Sequence, residues 1–293
     1  MKYAVSHLTT LRYAEPVRMA QFAVRLRPAR WPGQHVRDYE FTVDPRPVAI
    51  LEGEGGYFIN ESKFELREPI SQLTVNSRFV VDREPLPASV TTGFGPCLAD
   101  LRELAMSRPD LSPLGPASYI FASPIARPER EIAMWAAEFL DAAMPVMDAG
   151  RALMRAVGER FAYDNSATYP DTQPIEAFNS RRGVCQDFAH VMIVAARAHG
   201  IPAGYVSGYL RTQAPPGQER LVGADAMHAW VCLWCGDALG WVGFDPTNDM
   251  LADAEHIFIG MGRDYSDVAP FDGRFHGNAQ QTMLFSVDVA PLD

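Results

Sequence analysis

The chain has 293 residues, 47% of them hydrophobic, which is enough apolar material for one large core or two moderate ones. Its formal net charge of −10 at pH 7 argues against a general binder of nucleic acid or of anionic membranes. No apolar run is long enough for a signal peptide or a membrane span, and four cysteines are too few for a disulfide framework. These features predict a cytoplasmic protein with reduced thiols.

Residues 1–95 are predicted to form a β-rich N-terminal domain. Apolar and polar residues alternate with a period of two, as in half-buried strands, over residues 3–13, 22–27, 39–43 and 73–81. A glycine-rich turn at 53–56 separates two further candidate strands. Strands this short, with breaks this frequent, predict an antiparallel β-sandwich-like fold. His7 and His35 have no neighbouring cluster of acids or thiols, so we interpret both as structural.

Residues 96–128 are predicted to be a Pro-rich connecting segment, and residues 129–293 the core domain. The connecting segment contains one short predicted helix near residues 98–106. Cys97 lies beside it with no histidine nearby and is interpreted as an inert thiol. Helical spacing of apolar residues returns at the start of the core, and strands follow in its second half. The predicted fold class is α+β, with a helix packed on an antiparallel sheet in the core.

The most informative stretch is Gly183-Val184-Cys185-Gln186-Asp187, which leads into an apolar pattern of helical period that stops at Gly200. Gly183 suits a turn into a helix, and Asp187 places an acid where the helix end is positive. Cys185 is therefore predicted in the first turn of a helix. Only the thiolate attacks carbonyl groups, and a helix end favours it by a small amount. Full activation needs a cationic histidine as well.

A predicted hairpin supplies that histidine. An apolar strand over residues 227–234 and a returning strand over residues 241–248 flank a turn between two glycines. A turn centred in that segment places His228 opposite Thr247. Asp245 is then a diagonal neighbour of His228, about 7–8 Å away at the backbone, within reach of the two side chains.

Cys185, His228 and Asp245 therefore form a candidate set of nucleophile, base and orienting carboxylate. His190 points about 140° away from Cys185 around the helix, and His199 lies about 21 Å further along it, so neither is expected to contact the thiol. We interpret the former as a packing or hydrogen-bonding residue. Two histidines are left without a predicted role: His256 and His276.

The spacing Cys232-x-x-Cys235 raises the alternative of a zinc or redox site. Residues three apart on a strand face opposite sides, and no second cysteine or histidine pair completes four ligands. We therefore predict two buried structural thiols and no metal. No acidic loop of the calcium-binding kind is present either.

Together, Gly183-Val184-Cys185 at a helix start, His228-Ala229-Trp230 on a strand and Trp241-Val242-Gly243-Phe244-Asp245-Pro246-Thr247 on the next resemble the transglutaminase-like superfamily of papain-fold cysteine enzymes. Papain itself would place its histidine much farther downstream. Within the superfamily, the chain is most similar to bacterial transglutaminase-like proteins described as predicted cysteine proteases, which have a β-rich N-terminal domain and a tail like residues 262–268.

This resemblance implies that Cys185 is the nucleophile, His228 the base and acid, and Asp245 the orienting residue. The substrate would be an amide or thioester-like acyl group of a peptide or protein, with no cofactor, no nucleic acid and no membrane involved. The backbone N–H of Cys185 is a candidate oxyanion donor, since the first helical amides are unpaired. Tyr163 is a candidate for the aromatic side chain that animal transglutaminases add. The oligomeric state is left open.

Three activities are compatible with these residues. A hydrolase resolves the acyl-enzyme with water, whereas a transglutaminase uses a lysine amine and keeps water out. We favour the hydrolase because the resemblance is to the protease branch. The third alternative is a non-catalytic binding module, although members of the superfamily that have lost the reaction usually lack one of the three residues.

Overall fold

The computed structural model describes residues 1–87, 90, 93–169, 172–211 and 225–292. Two antiparallel sheets dominate this part of the chain, and a bundle of helices covers one of them. The strands are β1 (Lys2–Val24), β2 (Gln34–Asp44), β3 (Ile50–Glu54), β4 (Asn60–Leu66), β5 (Ile70–Arg83), β6 (Ala162–Tyr163), β7 (Arg182–Gly183), β8 (Ala203–Leu210), β9 (Met227–Trp234), β10 (Trp241–Asp245), β11 (Met250–Leu251), β12 (His256–Gly262), β13 (Phe271–His276) and β14 (Gln281–Leu292). The helices are α1 (Leu98–Ser107), α2 (Arg130–Ala136), α3 (Val146–Arg160), α4 (Pro174–Ser180), α5 (Cys185–Ala198) and α6 (Tyr265–Val268), with one 3-10 turn at Pro116–Tyr119.

The N-terminal sheet is organised around the long strand β1. Residues 2–13 of β1 lie between β5 and β14, and residues 18–24 lie between β4 and β13. The register to β5 shifts between Arg12 and Val17, where such an irregularity bends a strand. The sheet therefore curls around its own core, which contains Leu11, Phe22, Leu73 and Val75. This confirms the predicted β-rich, antiparallel, sandwich-like N-terminal region.

The core sheet has the strand order β11-β10-β9-β8-β12, with every neighbouring pair antiparallel. Helix α5 packs on β9 and β8, and α2, α3 and α4 pack against its other sides. Residues 187–197 of α5 are buried without interruption, as expected for a helix that is apolar nearly all round. The predicted packing of the Cys185 helix on an antiparallel sheet is confirmed.

The last two strands do not extend the core sheet. Both β13 and β14 pair antiparallel with β1, so the chain returns to the N-terminal sheet after α6. The sequence-based division, which assigned residues 129–293 to one core domain, stays a prediction, and the pairing adds that β13 and β14 belong to the N-terminal sheet. The physical reason is burial: Val287 and Val289 of β14 are fully buried in a cluster with Tyr3 and Val5.

The same cluster joins the two sheets. It also contains Tyr209 of β8 and Ile257 and Ile259 of β12, so the N-terminal sheet packs directly on the core sheet. His7 is buried at this junction, where its Nδ1 forms a 2.8 Å hydrogen bond with the Tyr209 hydroxyl. His35, in contrast, lies at the surface, paired with Glu84 at 3.2 Å.

Candidate active site

Cys185 is the first residue of α5 and follows directly on the two-stranded pair β6–β7. The carboxylate of Asp187 closes this turn, because its Oδ2 accepts the backbone N–H of Val184 at 2.8 Å and the hydroxyl of Thr168 at 2.6 Å. A Cβ on Gly183 would lie 2.6 Å from that oxygen, so only glycine fits there. This packing fixes the thiol in the first turn of the helix, where the sequence predicted it.

The β9–β10 hairpin brings His228 and Asp245 together. Its register pairs Phe244 with Val231, and continuing that register sets Thr247 opposite His228, the arrangement expected from the position of the turn. Asp245 is then the diagonal neighbour. The two side chains meet directly, with His228 Nε2 lying 2.7 Å from Asp245 Oδ2.

The side chain of Cys185 also lies within interaction range of His228 and favours its charged form. Since its Nε2 is engaged by Asp245, Nδ1 is the nitrogen left to face the sulfur. Burial opposes the charged imidazole, but the interactions with Asp245 and Cys185 outweigh burial and raise the pKa of His228 to about 10. At neutral pH the ring is therefore a cation between a carboxylate and a thiol.

The Asp245 carboxylate is fully buried and accepts five hydrogen bonds. Three donors reach Oδ2: His228 at 2.7 Å, the Asn248 side chain at 2.7 Å and His256 at 3.1 Å. The backbone N–H groups of Thr247 and Asn248 reach Oδ1 at 3.0 and 3.3 Å. Burial alone would raise the pKa of Asp245, but the bonds from the two histidines and Asn248 lower it below its ordinary value.

Sequence reasoning missed His256. This residue opens β12, and two strands lie between it and Asp245 in the sheet order, so no local spacing connects them. The core sheet curls enough to bring the end of β10 to the start of β12. The sequence contained one weak signal, which is a histidine at the entry of a strand that is apolar on both faces.

In the described residues, one group of three side chains combines residue types that can bind a metal ion. It consists of His228, Asp245 and His256, whose ligand atoms all lie within 4.8 Å of one another. The imidazole nitrogens on this set are already hydrogen-bonded to the Asp245 carboxylate. A metal ion would need the lone pairs of nitrogens that carry protons in these bonds. The contacts present are those of a hydrogen-bonded network around the Asp245 carboxylate.

Two tyrosines lie close to the thiol. Tyr163 pairs with Gly183 across β6–β7 and is 56% exposed. Burial of its hydroxyl, together with the charges of Cys185 and Asp187, raises the pKa of Tyr163. Tyr205 of β8 is buried, and burial together with the Cys185 charge raises its pKa in the same way. The aromatic residue suggested by sequence is thus beside the candidate nucleophile.

The remaining residues singled out from sequence have other surroundings. Cys232 and Cys235 are free and buried, and burial raises the pKa of both thiols. His190 is fully buried, with its Nε2 accepting the backbone N–H of Tyr265 at 3.2 Å. The Nε2 of His199 lies 3.0 Å from a backbone carbonyl oxygen of α2. All four side chains make packing or backbone contacts.

Two family sequence profiles match the chain. That of the Transglutaminase-like superfamily matches residues 133–246, and that of the Bacterial transglutaminase-like N-terminal region matches residues 3–82. The first match contains Cys185, His228 and Asp245. The order of the two matches is the order of the two sheets along the chain.

Individual proteins agree with these profiles. An uncharacterized protein of Mycobacterium tuberculosis is 36% identical over 298 residues, covering 100% of this chain and 93% of the relative. A protein-glutamine gamma-glutamyltransferase of Pseudomonas aeruginosa is 39% identical over 98 residues, which are 32% of this chain and 14% of that protein.

Among solved structures, a protein from Cytophaga hutchinsonii described as a "Putative Cysteine Protease" matches with a TM-score of 0.69 and 21% identity, covering 100% of this chain and 92% of that chain. This likeness establishes the fold of both sheets and of α5. With two profiles in the expected order and a relative similar along its whole length, the chain belongs to the transglutaminase-like superfamily, in the bacterial form that has a transglutaminase-like N-terminal region.

Proposed function

We propose that this protein is a cysteine-dependent acyl-transfer enzyme that hydrolyses peptide or amide bonds. Cys185 is the nucleophile, His228 the base and acid, and Asp245 the orienting carboxylate. The observation that supports this assignment is a single imidazole that hydrogen-bonds to a buried carboxylate and lies within interaction range of the thiol. Nucleophile, proton carrier and orienting group are the complete set that acyl transfer by a thiol requires.

In the proposed reaction the Cys185 thiolate bonds to the carbonyl carbon of the substrate, and the carbonyl π electrons move to oxygen. When the tetrahedral intermediate collapses, the amine leaves with the proton of His228, and a thioester remains. Neutral His228 then takes a proton from water as the water oxygen attacks the thioester. The thiolate leaves and a carboxylic acid is released.

The negative oxygen of the intermediate needs donors. The backbone N–H of Cys185 belongs to the first turn of α5, where N–H groups have no partner within the helix. We propose it as the first donor and the Tyr163 hydroxyl as the second.

Water is the proposed acyl acceptor because the site is open. Cys185 is half-buried, and Tyr163 beside it is 56% exposed. A transglutaminase must protect its acyl-enzyme from water, which this degree of exposure does not favour. Amine transfer is nevertheless the second candidate, since the P. aeruginosa relative is named a protein-glutamine gamma-glutamyltransferase.

Glutamine peptides with a labelled primary amine separate the two activities. We expect carboxylate release to exceed amine incorporation. The Cys185→Ala variant should show neither, whereas Cys97→Ala, the matched loss of another partly exposed thiol, should retain both at wild-type levels. Amine incorporation in excess of carboxylate release would replace hydrolysis by transfer.

Iodoacetamide distinguishes an enzyme from a non-catalytic binding module. A thiol beside an imidazolium should be alkylated much faster near neutral pH than an ordinary one. We expect the peptide containing Cys185 to be labelled at least about 10-fold faster than the one containing Cys97. Equal rates would favour the binding module.

Peptides or proteins are the substrate class we infer, in a cytoplasmic setting. All four cysteines are free thiols, which suits a reducing compartment. Separately, no helix in the described part of the chain is long and apolar enough to cross a membrane. Cell fractionation with an antibody to the protein tests the location, and recovery in a periplasmic or secreted fraction would contradict it.

A further inference from the structure

We propose that His256 is a positioning residue of the candidate site, a neutral imidazole that holds the Asp245 carboxylate in place and ionised. Asp245 can then keep its hydrogen bond to His228. This inference rests on the proposed function, because it refines the same site.

The contacts that carry the proposal converge on one oxygen. His256 Nε2 lies 3.1 Å from Asp245 Oδ2, and the side chains of both residues are fully inaccessible to solvent. His228 Nε2 lies 2.7 Å from the same oxygen. Two imidazoles therefore share one carboxylate oxygen.

The other side of the His256 ring fixes its protonation. Its Nδ1 lies 3.3 Å from the backbone nitrogen of Asp253, which can only donate, so Nδ1 carries a lone pair. The proton of the neutral ring is then on Nε2, directed at Asp245. Each ring nitrogen then has one partner, the Asp253 backbone N–H for Nδ1 and the Asp245 carboxylate for Nε2.

Packing holds the ring in this orientation. The indole of Trp230 meets His256 edge-on, with centroids 5.2 Å apart at 79°, and lies nearly parallel to His228 at 6.0 Å and 29°. Trp230 is buried. The same indole thus packs against both imidazoles.

The other charged groups near His256 already have partners. Asp253 precedes the strand and accepts a backbone N–H at 2.7 Å, and Arg83 donates to its carbonyl oxygen at 3.5 Å. Glu255 pairs with Arg211 at 3.4 Å. The charged group in direct contact with the same carboxylate oxygen is the His228 imidazole.

The consequence concerns how the reactivity of the Cys185 thiol falls at acid pH. A donor to a buried carboxylate stabilises the ionised form, so removing it makes Asp245 easier to protonate. A protonated Asp245 is a weaker acceptor for His228, so the imidazolium, although still charged, is no longer held against Cys185. Loss of the His256 donor should therefore shift the acid limb of thiol reactivity toward higher pH.

The test is the rate of iodoacetamide alkylation of Cys185 as a function of pH, followed on its own peptide by mass spectrometry. His256→Phe keeps a flat ring and removes the donor, and we expect the acid limb to move up by about one pH unit. His256→Gln places an amide N–H where Nε2 was. It should return the acid limb of the rate profile to within a few tenths of a pH unit of its wild-type position. The control is Phe258→Leu, a buried change on the same strand that should lower the melting temperature and leave the limb unmoved.

The outcomes separate two failures. If wild-type Cys185 is alkylated like an ordinary thiol at every pH, the proposed function itself is wrong. If the wild-type profile is that of an activated thiol and His256→Phe leaves it unchanged, or Phe258→Leu shifts it equally, only the role of His256 is overturned. Should His256→Phe not fold, ¹⁵N NMR of the wild type decides: the Nε2–H tautomer supports the proposal, and the Nδ1–H tautomer or an imidazolium refutes it.

Discussion

At the scale of single residues, the proposed chemistry depends on one imidazole. His228 is held by a carboxylate on one nitrogen and meets a thiol with the other, and its raised pKa keeps it cationic beside that thiol. Asp245 in turn depends on its own donors, which include backbone N–H groups that no side-chain substitution removes.

Cys185 and Asp245 should contribute to kcat by different amounts. Cys185→Ala removes the nucleophile and should abolish turnover while leaving the melting temperature nearly unchanged, since a small exchange at a helix start costs little. Asp245→Asn leaves the thiol and the imidazole in place, so its loss in kcat should be smaller by about one to two orders of magnitude. Steady-state kinetics on one peptide substrate measures both. Equal losses would instead assign Asp245 a structural role.

Sequence predicted the part of the site that local geometry controls. The turn between two glycines fixes the hairpin register, and that register alone makes Asp245 the diagonal neighbour of His228. His256 could not be assigned in this way. Its contact depends on the curvature of a sheet in which two strands separate the partners, and no residue spacing encodes that curvature.

At the scale of elements, the start of α5 depends on Asp187. This carboxyl is buried, and burial raises its pKa in spite of hydrogen bonds from Thr168 and the Val184 backbone. The group is therefore needed as an acceptor more than as a charge.

Substitutions of Asp187 test this interpretation. Asp187→Ala leaves the Val184 N–H without its acceptor and should lower the free energy of unfolding by about 1–3 kcal/mol. Asp187→Asn keeps one acceptor oxygen and should cost less. Urea unfolding at pH 7 measures both, with Asp164→Ala, a change in a surface loop, as the matched control. A larger loss for Asn than for Ala would contradict this account of the turn.

Helices and strands with a clear hydrophobic periodicity could be predicted from the sequence, whereas the strands with which they pair could be predicted less well. The helix predicted near residues 98–106 is α1, and the period-two alternation predicted over residues 3–13 corresponds to a buried residue at every second position of that part of β1. The pairing of β14 with β1 joins the two ends of the chain, and no sequence feature of either strand identifies the other as its pairing partner. This is why the sequence-based division assigned β14 to the core.

At the scale of the whole molecule, the two sheets are joined by a buried apolar cluster that encloses His7. Burial lowers the pKa of His7 to about 4. In the unfolded chain the pKa is the ordinary value of about 6.5, so between these values the unfolded state binds a proton that the folded state does not. The free energy of unfolding should therefore fall as pH decreases from about 6.5 to about 4.

The His7→Gln variant should lose this part of the pH dependence. The shift of His7 corresponds to about 3 kcal/mol at pH 4, and the neutral glutamine has no such penalty. His190, whose pKa burial also lowers to about 4, contributes equally to both proteins. Urea unfolding at pH 7 and pH 4.5 measures the difference, with the exposed His35→Gln as control. Identical pH slopes in wild type and His7→Gln would show that His7 does not couple the junction of the sheets to pH.

The most direct test of the central claim is the titration of His228 itself by ¹⁵N NMR, in the wild type and in Cys185→Ala. If the imidazole is shared by the thiol and the Asp245 carboxylate, the wild-type ring should stay protonated through neutral pH and lose its proton near pH 10. In Cys185→Ala the midpoint should fall, because one of the two stabilising partners is gone. A wild-type ring that is neutral at pH 7, with the same midpoint in both proteins, would contradict the account.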